Sequence, residues 1–115
     1  VEAFLTFAIS SDIAQSLRQD PAYTHGKNAR SLVRSSELTM VTTVLKAGAE
    51  LKPHHAPASS TAIVLEGEIL FRTHGATPTE NILRQHDCAV FSSETQHSVE
   101  ARTDSLILIV MGAKA

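Results

Sequence analysis

Cysteine is all but missing. Cys88 is the one thiol in 115 residues, so no disulfide can form within the chain and a scaffold stapled by disulfides is excluded. A reducing, intracellular setting suits that usage. Tryptophan is absent, and one Tyr with four Phe leaves aromatics at 4%, too thin a platform for stacking single-stranded nucleic acid. Five Gly and four Pro are too few for a collagen-like or Pro/Gly-rich disordered chain. Neither sign of charge dominates: ten Lys and Arg against twelve Asp and Glu give a net charge of -2, and such a field does not attract a polyanion. The longest unbroken apolar run covers residues 106–111, far short of the roughly 20 residues that a spanning helix needs. The N-terminal stretch is apolar, but Glu2 stands where a secretory signal carries positive charge, and no convincing cleavage site follows. These absences predict a cytoplasmic protein with neither nucleic acid nor membrane as partner.

What remains is a globular composition, 43% apolar and 19% charged, in a mass of 12.4 kDa that leaves room for one core. Val, Ile and Thr concentrate after residue 38, where a stiff Cβ favours pleated strands. Two parts are expected: an N-terminal extension over residues 1–29 and a β domain over 30–115. In the extension, alternating Phe4-Leu5-Thr6-Phe7-Ala8-Ile9 reads as strand-like. Ser10, Ser11 and Asp12 offer N-cap oxygens to a short helix over 13–18, with Ile13, Ala14 and Leu17 as its apolar stripe and Pro21 as its stop. A loop over 23–28 follows. An exposed apolar extension predicts a homodimer.

From residue 30 onward, strand-like segments alternate with turn signals, as in a sandwich or barrel. They cover 30–34, 38–46, 61–65, 68–72, 81–84, 88–91, 97–101 and 105–111. Both faces of 38–46 carry apolar residues. Thr61-Ala62-Ile63-Val64-Leu65 reads as a buried strand, and Glu66-Gly67 as the turn of a hairpin to residues 68–72. Pro53-His54-His55-Ala56-Pro57 is extended, but its prolines keep it out of a sheet centre.

Gly48 precedes His54 by six positions, and Ile63-Val64-Leu65-Glu66 leads into Gly67. About 30 residues later His97 opens another strand-like run, after Asp87-Cys88-Ala89-Val90-Phe91. This frame resembles that of the small single-domain bacterial cupins of the RmlC-like superfamily, over about residues 30–111. The resemblance implies an all-β fold, a small cupin β-barrel or double-sheet jelly roll, with one short N-terminal helix. It also implies a pocket between the sheets and, commonly, a divalent metal. Departures from the pattern bear on that metal. Ala56 stands where the family has its second histidine, Ser60 where it has its glutamate, and the P-x-G bend before the last histidine is replaced by Ser92-Ser93-Glu94-Thr95-Gln96. His86 holds the place of a turn glycine before Asp87.

Imidazole nitrogens suit Zn, Fe, Ni and neighbouring first-row metals, which take three or four protein ligands. The metal candidates are His54, His55 and His97 for Zn, Fe, Mn or Ni. Glu50, Gln96 and a shifted Glu66 are each candidates to complete the set, and the sequence does not choose among them. The ligand pocket is expected to hold His54, His55, Ser60, Gln96 and His97. A plainer reading makes His54 and His55 loop residues beside prolines, and His97 a strand-start histidine bonded to a backbone carbonyl. His25, His74 and His86 read as solvated turn residues, Cys88 as a packed thiol, and the four Phe as core or dimer contacts. Three functions follow: a small-molecule-binding or sensing module with a degenerate metal site, a metal-dependent oxygenase or isomerase using His97 with His54 or His55, or a structural barrel without ligand. No residue dictates a reaction class.

Overall fold

The computed structural model describes residues 3–113. Val1, Glu2, Lys114 and Ala115 lie outside the described residues, and with them the reading of Glu2 and the outer limits of the two expected parts. Among the described residues, nine strands follow a short helical segment. One sheet has five strands in the order β1 (Lys27–Arg34), β2 (Thr39–Leu45), β9 (Ser105–Met111), β4 (Ser60–Glu66) and β7 (Cys88–Phe91). The other has four, in the order β3 (Glu50–His54), β8 (Gln96–Ala101), β5 (Glu68–His74) and β6 (Thr79–Arg84). Every pairing is antiparallel. Only β1–β2 and β5–β6 are neighbours both in sequence and in a sheet; each other connection carries the chain from one sheet to the other. The result is a two-sheet barrel with a short helix at its N-terminal side.

The core lies where the inward faces meet. Leu45, Val64, Ile69, Val99 and Ile107 are each at most 5% exposed, and burying such a side chain fully contributes about 1.5–3 kcal/mol. Strand β2 is buried on both faces over its second half because its outer face has a cover. Ala14 and Leu17 of α1 (Ala14–Gln19), together with Tyr23, pack on Val44 and Leu106, which are cross-strand partners on β2 and β9. The apolar stripe of the helix therefore seals the outside of the larger sheet rather than the inside of the barrel.

Four local expectations change. The helical run opens earlier, as a π-turn over Ile9–Ile13, and no side-chain oxygen caps it or α1. Pro21 opens a 3-10 turn, Pro21–His25, for which the Asp20 carboxylate accepts from the Ala22 N–H at 2.9 Å; its missing N–H is harmless at such a start. Residues 4–8 form no strand. Finally, Gly67 does not close a hairpin. Strands β4 and β5 belong to different sheets, and Gly67, at φ +86°, is the corner between them. A Cβ there would lie within 3 Å of backbone and side-chain atoms of Asp104 and Ser105. The corner is tied down by Thr103 Oγ1, which accepts from the Glu68 N–H at 3.0 Å, and by the Arg102 N–H, which donates to the Glu68 carbonyl at 2.9 Å.

Candidate functional site

Strand β3 is an edge strand, which lets it carry Pro53 without losing an interior ladder bond. Its register with β8 shifts between Leu51 and His54, and the shift sets His54 directly opposite His97. Cross-strand partners of this kind bring side chains together: the two imidazole centroids are 4.3 Å apart, inclined at 57°. His97 Nδ1–H donates to the Thr95 carbonyl at 3.2 Å, and His54 Nδ1–H to the Lys52 carbonyl at 2.7 Å.

His97 is 4% exposed. Its ring stacks on Phe71, with centroids 5.5 Å apart and planes 5° from parallel, and Phe91 leans against it at 4.3 Å. Burial among these rings pushes the imidazole pKa below its ordinary 6.5. The Thr95 hydrogen bond opposes that shift, while charge on His54, His55 or His74 would add to it. The neutral ring is therefore the resting state.

These residues border a cavity of about 170 Å³ between the sheets. Leu51, Phe71 and Val99 line it from the four-stranded sheet; Val41, Phe91, Ile107 and Ile109 line it from the five-stranded one; Met111 and Pro57 also border it. The two motif positions that lack their usual donors, Ala56 and Ser60, face the same hollow. Ser60 is buried, and its hydroxyl donates to the Ala58 carbonyl at 2.8 Å.

His54, His55, Ser60 and His97 thus line one space, with His54 and His55 exposed on the outside of it. Gln96 does not: it opens β8 opposite His74. Glu50 lies opposite Glu100, and Glu66 pairs with Arg18 of the covering helix at 3.2 Å; neither lines the cavity.

No family model matches this sequence, and no curated protein matches it. Solved structures do. A conserved protein of unknown function from Streptococcus pyogenes superposes with a TM-score of 0.74 at 18% identity, over 96% of this chain and 92% of that one. An RmlC-like cupin from Desulfovibrio desulfuricans gives 0.68 at 25% identity, over 77% and 84%. This chain has the cupin fold. An oxalate decarboxylase from Bacillus subtilis, described for its Mn(II) centres, gives 0.71 at 21% identity, over 78% of this chain and 26% of that one.

A metal suggested by the cupin fold needs a donor set. Among the described residues no group of three or more His, Cys, Asp or Glu is placed to hold an ion together. His54 and His97 are two donors, and His55 does not complete a third with them. The usual carboxylate position presents a serine hydroxyl already committed to Ala58. With three or four ligands required, the residues present do not fit a metal centre.

Other readings change with the structure. His74 is not a solvated turn residue: it ends β5, half-buried, with Nε2 2.8 Å from Ser98 Oγ. Cys88 is exposed, not packed, because β7 is an edge strand. Phe71 and Phe91 are cavity walls, whereas Phe4 and Phe7 are exposed. The aromatic wall around His97 escaped the sequence; its one signal was the placing of Phe71 and Phe91 within the expected strands 68–72 and 88–91. No helix among the described residues is long and apolar enough to cross a membrane.

Proposed function

We propose that this cupin barrel is a metal-independent small-molecule-binding or sensing module. The observation that carries this reading is the buried His97 at the wall of a largely apolar cavity that His54, His55 and Ser60 also line. A hollow lined mainly by apolar side chains, with a few convergent polar groups, is what a ligand site requires. The cavity is small by the standards of such sites, which run from about 300 Å³ upward, so the ligand is small too. The Mn(II) of the Bacillus oxalate decarboxylase is not carried over, because the described residues bring no full donor set together.

Metal analysis of protein purified without chelator tests the reading. The expected result is substoichiometric metal and a melting temperature unmoved by EDTA. Stoichiometric metal that disappears in His97→Ala would overturn it in favour of the metal-dependent oxygenase or isomerase.

A homodimer and a cytoplasmic setting belong to the same proposal. The first rests on Phe4, 83% exposed, beside exposed Leu5 and Phe7; a lone apolar tail of this kind is better covered by a second copy than by water. The second rests on the single cysteine, which calls for no oxidising compartment. A sedimentation mass near 12.4 kDa at micromolar concentration would refute the dimer.

A further inference from the structure

We propose that the cavity takes an uncharged single-ring aromatic molecule carrying one O–H or N–H donor, a phenol-type ligand, an inference that rests on the binding-module reading above. Three independent features of the chain lead there.

The first is the direction of the available hydrogen bond. Carbonyl oxygens only accept, so the Nδ1 atoms of His97 and His54, bonded to Thr95 and Lys52 carbonyls, carry the ring protons. In a neutral imidazole the other nitrogen is then an acceptor. Neither Nε2 has a partner within the described residues, and neither is among the buried side-chain atoms left without one, which are Tyr23 OH and Thr42 Oγ1. The buried, neutral His97 ring therefore offers a lone pair to the cavity, and the molecule that meets it must donate.

The second is charge. No Lys or Arg is among the residues lining the cavity. An anion would enter a largely apolar space facing the acceptor nitrogen of His97, with no Lys or Arg among the described lining residues to neutralise it, and burying an unpaired charge is strongly unfavourable. Carboxylates, phosphates and sulfates are excluded on that ground.

The third is size and shape. An apolar protein cavity of about 150 Å³ accepts one benzene molecule, and the hollow here is about 170 Å³. Phe71 and His97 already stack at 5.5 Å, and Phe91 is 5.2 Å from Phe71, within the centroid range where aromatic rings attract, while Phe91 also touches His97 at 4.3 Å. A planar ring gains contacts on that wall that a saturated ring of the same size does not.

The test uses four probes of similar size: phenol, anisole, cyclohexanol and benzoate. Each is titrated at neutral pH into the full chain while the amide resonances of Leu51, Val99 and Ile107 are followed by NMR. Phenol is expected to shift these resonances saturably. Anisole, which keeps the ring but cannot donate, is expected to bind about tenfold more weakly, as loss of one hydrogen bond implies. Cyclohexanol is expected to bind about fivefold more weakly, and benzoate not at all. In His97→Phe the difference between phenol and anisole should vanish. The well-dispersed spectrum of that variant reports its folding in the same experiment; should it be lost, His54→Phe, on the exposed edge strand, is used to test for a reduced difference. Anisole or benzoate binding as tightly as phenol would refute the ligand class while leaving the binding module standing. If none of the four probes, nor benzene itself, shifts these resonances, the binding module fails as well.

Discussion

Gly67→Ala is the sharpest perturbation the fold offers, because Gly48 provides its internal control. Both glycines have left-handed φ, +86° and +88°. An alanine at either must bear the left-handed penalty of about 1–2 kcal/mol, offset by about 0.4–1 kcal/mol from the stiffer unfolded chain. For Gly48→Ala nothing further is added, since no atom lies within 4 Å of the new Cβ, and the net cost is about 1 kcal/mol. For Gly67→Ala the methyl overlaps Asp104 and Ser105. The Ser105 Cα, at 2.9 Å, belongs to backbone and cannot swing aside. Moving it disturbs the bonds that Glu68 makes to Arg102 and Thr103. Overpacking of this kind adds about 1–3 kcal/mol, for a total of about 3 kcal/mol. In a domain of this length 1 kcal/mol moves the melting temperature by roughly 4 °C. Differential scanning calorimetry should therefore show a fall of about 4 °C for Gly48→Ala and about 12 °C for Gly67→Ala. Equal falls in the two variants would refute the claim that the corner between β4 and β5 is pinned by close packing.

Three further outcomes are expected. His86, at φ 74°, is the one described non-glycine residue in left-handed backbone, so His86→Gly should stabilise by about 0.5–1 kcal/mol in urea denaturation, the relieved strain exceeding the added chain entropy. His97 has a folded pKa below 6.5; between that lowered value and 6.5 the unfolded chain binds more protons, so its contribution is full above about pH 6.5 and is lost as pH falls through the window. The urea midpoint should drop from pH 7.5 to pH 5.5 in the natural chain and drop less in His97→Phe. Ile107, 1% exposed and part of the cavity wall, should cost about 3 kcal/mol on conversion to Ala, read as a lower thermal midpoint.

Much of the fold was written in local pattern. The segment expected over 105–111, apolar from Leu106 to Met111, forms β9 with those limits, and the two apolar-bearing faces of 38–46 reappear in β2, which is buried on both faces over its second half. The spacing from Gly48 to Gly67 located His54, Ala56 and Ser60 around one hollow. What failed depended on partners distant in sequence. A Glu-Gly turn looks the same whether the chain returns beside itself or crosses to another sheet, and only the packing of Asp104 and Ser105 on Gly67 distinguishes them. Cys88 sits in an apolar run, yet an edge strand leaves that side chain to solvent. Gln96 adjoins His97, and alternation along β8 was enough to remove it from the cavity. The pairing of His54 with His97 needed the register shift in β3, which two prolines made plausible but did not specify.

The place of β9 in the larger sheet sets the order in which this protein can be made. That strand lies between β2 and β4, pairing along its length with both, yet it is the final strand described. While a ribosome is still producing residues 1–104, β2 and β4 have no common neighbour and the barrel has no middle. Folding of the barrel must wait for β9 to emerge, and such long-range pairing is slow. A nascent chain halted after Asp104 is expected to remain protease-sensitive and sticky at two open edges, whereas release of seven more residues should close it in a single step.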